Sequence, residues 1–246
     1  AGWGATASEK VPENAEVWYR LGSAKMKLED PLDAITDLHR ATSLEPGNPI
    51  YRKALAEAYI EQRWYVEAST ELESLVVEFP DSSRLWTRLG YALNHGNMYE
   101  EAVEAYERAL SLEPENRQYV RNLTSAVLNR GAELQKEGDF DGARKMYRYA
   151  RSLYPEDWVS LNNLATLEME MEQWDKAYSI LSAALREHQG ISQLHFNMSV
   201  VLEKLGSYAE AFEQLRQAAA LDPYNPPAAE HFERLQRKID GETTED

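Results

Sequence analysis

The sequence contains no cysteine, which excludes disulfides, thiolate metal sites and thiol nucleophiles. Nor does it contain an apolar run approaching the roughly 18 residues needed to span a bilayer. Neither absence selects a compartment. Positive charge is scarce: 26 Lys and Arg against 42 Asp and Glu leave a net charge of −16. Such a chain is repelled by phosphate backbones and anionic lipid, which argues against nucleic acid and membrane surfaces and favours a neutral or basic polypeptide partner. No glycine-rich phosphate loop is present, because the 12 glycines fall in turns, at chain ends or at one repeat position, apart from Gly142 early in a helix. His39, His95, His188, His195 and His231 lack metal-ligand spacing, and no serine sits in a nucleophile elbow. The expectation is therefore no catalysis, no cofactor and no metal.

What the chain has is repetition. The stretch from Ser83 to Asn116, SRLWTRLGYALNHGNMYEEAVEAYERALSLEPEN, reads as two amphipathic helices joined by a tight turn and closed by a proline, and six such units can be counted. Pro46, Pro80 and Pro114 are 34 residues apart, Pro155 follows after 41, and Pro223 after another 68. With that proline at position 32, position 20 is alanine in every unit: Ala34, Ala68, Ala102, Ala143, Ala177 and Ala211. Position 8 is small throughout (Gly22, Ala56, Gly90, Gly131, Ala165, Ser199), and position 27 is alanine except at Leu75. Helices 8 to 10 Å apart need small side chains at closest approach, so positions 8 and 20 are expected to mark the crossing point of each pair. Position 17 is aromatic in five units (Tyr65, Tyr99, Phe140, Trp174, Tyr208), placed to plug the seam between helices, with Pro31 in the first. A unit of this size cannot bury its own apolar face, so copies must stack.

The pattern resembles the tetratricopeptide repeat (TPR) family, whose signature of W, L, G, Y, A, F, A and P at positions 4, 7, 8, 11, 20, 24, 27 and 32 is met by Trp86, Leu89, Gly90, Leu93, Ala102, Tyr106, Ala109 and Pro114. The resemblance covers Ala15 to about Asp222. It implies an all-α fold, an α-solenoid built as a right-handed superhelix of six helix pairs, whose first helices line a concave groove that holds protein partners.

Residues 1–13 read as a lead-in, with Trp3 expected to pack on the first helix. Asn14 is the expected N-cap of that helix, and Asp30 with Pro31 starts its mate. Units follow at about 15–48, 49–82, 83–116, 117–157, 158–191 and 192–225, then a capping helix at 226–240 and a disordered tail at 241–246. An unbroken array makes one elongated domain. The fourth unit is seven residues too long, and seven residues are almost two helical turns. One continuous helix from Arg117 to Glu137 absorbs them without rotating its apolar face, adding about 10 Å. Leu123 fits position 7 counted forward, whereas Gly131 and Leu134 fit positions 8 and 11 counted back, so either end could project. The chain opens on Ala1, as expected of a processed form or a piece of something longer.

In the family that the chain resembles, positions 2, 5, 6, 9, 12 and 13 of each first helix face the groove. Position 6 is Asn129, Asn163 and Asn197 in units four to six. A carboxamide offers an acceptor and a donor side by side, matching a peptide bond, so a ladder of them can hold an extended chain by its backbone. Asn162, Thr166, Met169, Phe196 and Val200 complete a mostly uncharged floor there. The N-terminal half is charged, with Lys53, Arg84, Arg88, Arg20 and Lys27 against Glu16, Glu57 and Glu61, and Tyr19 and Tyr91 add aromatic area. The family's carboxylate clamp for chaperone tails is not matched: Tyr19, Ser23, Ala54, Thr87 and Tyr91, or Leu128, Ala132, Asn163, Phe196 and Val200, cannot neutralise a carboxylate. The expected role is a non-enzymatic adaptor that holds a protein or extended peptide. The alternatives are an architectural subunit that binds through its ends or convex face, favoured by exposed apolar residues such as Phe232, and the substrate arm of a larger enzyme.

Overall fold

The first helices of the first four units begin on a polar side chain that caps them, whereas Asp157 and Ile191, before the fifth and sixth, make no side-chain cap. The side chains of Asn14, Asn48 and Asn116 accept from the backbone N–H of Glu16, Ile50 and Gln118 at 2.9, 3.1 and 3.1 Å, and Ser82 accepts from Leu85 at 3.4 Å. Each satisfies a helix-terminal donor that is otherwise orphaned, worth about 1 kcal/mol. Glu45 and Glu113, three residues earlier, accept from the amides of Asn48 and Asn116 and hold two of these caps in place.

The computed structural model describes residues 13–28, 31–223, 231, 232 and 234–237. Over the described residues the order is α1 (Ala15–Lys27), α2 (Pro31–Leu44), α3 (Pro49–Glu61), α4 (Tyr65–Glu78), α5 (Ser83–His95), α6 (Tyr99–Leu112), α7 (Arg117–Glu137), α8 (Phe140–Leu153), α9 (Trp158–Glu170), α10 (Trp174–Glu187), α11 (Ser192–Lys204) and α12 (Tyr208–Leu221). No strand occurs among them. Trp3, Asp30, Pro226, Pro227 and the 241–246 tail lie outside the described residues.

The turn inside each pair is stereotyped. Position 15 is left-handed in every described case: Arg63 (φ 60°), Asn97 (62°), Gly138 (85°), Glu172 (57°) and Gly206 (81°). The following N–H then reaches back to close the first helix, as Trp64 does to Tyr59 O at 2.8 Å and Gln173 to Glu168 O at 2.8 Å. In His95-Gly96-Asn97 it is therefore the asparagine, not the glycine, that takes the unusual backbone conformation.

The alanines at position 20 are all fully buried, and position 27 is equally enclosed. The expected crossing point needs correction in its partner. A Cβ on Gly22 would lie 3.0 Å from the Ala34 carbonyl, but its nearest atom is Leu38 Cγ at 2.7 Å; on Gly90 and Gly131 the nearest atoms belong to the rings of Tyr106 and Tyr147. Position 8 thus makes room for the side chain at position 24, one turn beyond the alanine, because helical side chains lean toward the preceding turn. Gly142 has a similar local reason: its N–H donates to Asp139 Oδ1 at 2.9 Å, and a Cβ would strike that capping carboxylate.

The chain forms two compact units, residues 1–126 and 127–246, with the boundary inside α7. In the first unit α1 packs on α2, α2 on α3, α3 on α4, α4 on α5, and α5 on α6. The start of α7 belongs here, and the Tyr119 hydroxyl donates to Ser83 Oγ at 3.3 Å. In the second unit α8 packs on α9, α9 on α10, α10 on α11, and α11 on α12. The end of α7 joins them through Gly131 and Tyr147. Helix α7 is unbroken through Gly131, as the seven-residue argument requires. Tyr119, Leu123, Thr124, Ala126, Val127 and Gly131 are all buried. Of the capping helix, residues 231, 232 and 234–237 are described and helical, and Leu235 is enclosed in the same core as Leu202 and Leu215. Phe232 is half-buried, edge-on to Phe212 at 5.1 Å, so it does not add the exposed apolar surface that would favour an architectural role.

Candidate functional site

In the second unit the first helices are the end of α7, then α9 and α11. Of the three asparagines spaced for a ladder, Asn129 and Asn163 are half-buried, while Asn197 is only 4% exposed. The Asn197 amide is built into a chain: Gln193 Nε2 donates to its Oδ1 at 3.0 Å, and its Nδ2 donates to Asn162 Oδ1 at 2.7 Å. Bonds in such a chain polarise one another. Its ends are the Asn162 amide group on one side and the Gln193 carbonyl on the other, a donor and an acceptor held by a buried middle residue. Phe196 is half-buried, its ring 5.7 Å from that of His231.

Asn163 lines an open cleft of about 330 Å³ together with Ala132, Gln135, Lys136, Tyr147, Thr166 and Glu170. The Tyr147 hydroxyl donates to Gln135 Oε1 at 2.8 Å, and Gln135 Nε2 donates to Glu170 Oε2 at 2.5 Å. Burial, and then the nearby Glu170 charge, push the Tyr147 phenol up to about 12, which keeps it a donor at neutral pH. The neighbouring charged groups on α11 are committed elsewhere. Glu203 takes two bonds from Arg234, at 3.2 and 2.9 Å, and lies 3.3 Å from His231, while Lys204 sits 5.7 Å over the Trp174 ring.

In the first unit, four of the charged groove residues pair with one another. Arg20 bonds Glu16 at 2.6 Å, and Arg88 bonds Glu57 at 3.0 Å. The Arg20 bond and then the Tyr51 hydroxyl hold the Glu16 carboxyl below its usual range. Tyr19 lies against Tyr51 with ring centres 5.0 Å apart, and Tyr91 lies 4.3 Å from His95, which also stacks on Tyr65. Lys53 and Arg84 are exposed. Sequence reasoning missed Gln193, Gln135 and the Tyr147 relay. The available signal was that Gln135 stands at position 12 and Glu170 at position 13 of the next unit, both facing the groove in the repeat pattern.

Among curated proteins, the BBSome complex member BBS4 of Bos taurus is 25% identical over 86% of this chain and 46% of its own length. The heat-shock protein cognate co-chaperone sgt12 of Aspergillus fumigatus is 33% identical over 47% of this chain and 32% of its own length. The chain thus spans less than half the length of these two relatives. A solved structure of the MamA protein superposes with a TM-score of 0.53 at 20% identity, over 72% of this chain and 93% of that one, which supports the fold alone. Tetratricopeptide repeat families match residues 25–90 and 134–195, 83–116, and 192–225. Spanning more than half of the sequence, these matches place the chain in the tetratricopeptide repeat family.

Proposed function

We propose that the chain is a non-enzymatic adaptor that holds a partner polypeptide along the first helices of its second unit. The observation that carries the reading is the combination there of a largely uncharged floor with several side-chain amides: Asn163 in the cleft, Asn162 held by the Gln193–Asn197 chain, and Asn129 half-buried on α7. Phe196 adds an apolar contact. The net charge of −16 favours a neutral or basic partner. Tyr19, Lys53, Arg84, Arg88 and Tyr91 form a second, charged contact surface in the first unit. Two relatives named as a complex member and a co-chaperone are in keeping with a role in protein contacts.

The test is affinity capture of native partners by the wild type and by a variant with Asn129 and Asn163 replaced by alanine. Asn162 and Asn197 are left intact because they bond each other, and substituting either would strip a part-buried hydrogen bond and confuse binding with packing. Loss of captured protein with unchanged helicity supports the reading. Equal capture transfers the role to another surface. One observation favours such a surface: Val66 and Val77 on α4 are 60% and 82% exposed and lie three turns apart on one stripe. An architectural contact through that stripe would be lost in a Val66→Lys, Val77→Lys variant.

A further inference from the structure

The cleft of the second unit contains one carboxylate that is held and one ammonium that is not. Tyr147 is only 2% exposed, and its hydroxyl orients Gln135, which in turn orients Glu170. The bonded series starts on a fixed core ring and ends on an otherwise exposed carboxylate at an open cleft of about 330 Å³. Glu170 Oε1 has no hydrogen-bond or ionic partner among the described residues. A carboxylate side chain in water samples many rotamers; here the Gln135 bond restricts that freedom before anything binds. Lys136 also lines the cleft and likewise has no partner among the described residues. Its ammonium rides on a flexible four-carbon stem, so it can withdraw from a cation or follow an anion but fixes neither. The rest of the lining, Ala132, Asn163 and Thr166, is uncharged.

From this asymmetry between a positioned anion and an unsupported cation we infer that the cleft is a subsite for a basic side chain, arginine or lysine, of the bound polypeptide. Glu170 receives the guanidinium or ammonium, and Asn163 takes the adjacent peptide group. Arginine suits the site better, since its planar fork can meet a carboxylate whose plane is set in advance. The inference rests on the groove reading above and adds its specificity. Gln135 and Tyr147 are positioning residues, acting on the ligand only through Glu170.

The test is a titration of the full chain, followed by the side-chain amide signals of Asn163 and Gln135. Three acetylated, amidated pentapeptides at millimolar concentration carry arginine, citrulline or glutamate between alanines. Citrulline keeps the shape of arginine and removes its charge. The arginine peptide should bind about fivefold more tightly than the citrulline peptide, in line with a single half-exposed ion pair. Glu170→Gln should erase that ratio, Tyr147→Phe should reduce it, and Lys136→Gln should increase it. Equal binding of arginine and citrulline peptides, with Asn163 shifted by both, overturns the basic subsite and leaves the groove reading standing. Tightest binding of the glutamate peptide, abolished by Lys136→Gln, also overturns it. If no peptide shifts Asn163, both readings fall.

Discussion

A Cβ placed on Gly131 would lie 2.6 Å from Cε1 of Tyr147, so this glycine exists to admit that ring. Gly90 and Tyr106 repeat the pairing, with the nearest approach at 2.8 Å. Where position 24 is Leu72, Leu181 or Leu215, position 8 is instead Ala56, Ala165 or Ser199, so the two positions share one volume; Gly22 with Leu38 is the exception.

The shared volume makes a prediction. Gly90→Ala should overpack against the buried Tyr106 ring and destabilise the fold by about 1 to 3 kcal/mol in urea unfolding, despite alanine's better helix propensity. Adding Tyr106→Leu should recover part of the loss, restoring the alanine–leucine pairing of other repeats. A double variant no more stable than Gly90→Ala would break the volume argument.

Position 15 makes the opposite prediction. Arg63 and Glu172 carry left-handed backbone with full side chains, at φ 60° and 57°. Relief of that strain by glycine, set against glycine's greater freedom when unfolded, should leave Arg63→Gly and Glu172→Gly more stable by about 0.5 to 1 kcal/mol. Asn97→Gly should change little, because asparagine tolerates this conformation. Thermal unfolding of the three variants measures the contrast.

Alkaline pH provides a third prediction. The Tyr147 phenol is raised from an ordinary value near 10 to about 12, so between those values the folded state keeps a proton that the unfolded chain has lost. The associated stability is complete below pH 10 and is lost as pH rises toward 12. Unfolding midpoints across that window should therefore fall less steeply in Tyr147→Phe than in the wild type. Parallel curves would mean that the ring ionises without strain.

A fourth concerns the terminal helix. Glu203 is buried beneath Arg234 and His231, and Arg234 makes two bonds to it. Glu203→Ala removes the carboxylate that accepts both Arg234 bonds and should cost about 1 to 3 kcal/mol. Increased amide exchange around Leu235 would locate the loss; unchanged exchange would show that the apolar contacts of Leu235 and Phe232 hold the helix without the ion cluster.

How much of this was legible in the sequence follows from what kind of contact each residue makes. Helix boundaries, the buried alanines and the continuity of α7 depend on periodicity and side-chain size, which a repeated sequence displays directly. The partner of Gly90 was misplaced because its neighbour is set by side-chain lean, which shifts the contact one turn from the residue of closest backbone approach. Asn197 looked equivalent to Asn163 because both occupy position 6. What separates them is Gln193, four residues before Asn197 on the same helix face, and Asn162 on the first helix of the preceding unit, whereas Val159 stands at the position in α9 that corresponds to Gln193. The Tyr147–Gln135–Glu170 series joins three helices, and pairwise spacing along the chain does not reveal it.

In the proposed complex the partner lies on the first-helix side of the second unit. The most direct measurement is photo-crosslinking with a benzophenone amino acid placed either at Thr166, in the cleft, or at Tyr178, on α10 beside Glu210 and Gln214 of α12. The predicted result is partner crosslinked from position 166 and not from 178, with the 166 product lost on mixing in excess unlabelled protein. Crosslinking from 178 with none from 166 would contradict the claim and assign binding to the second-helix face.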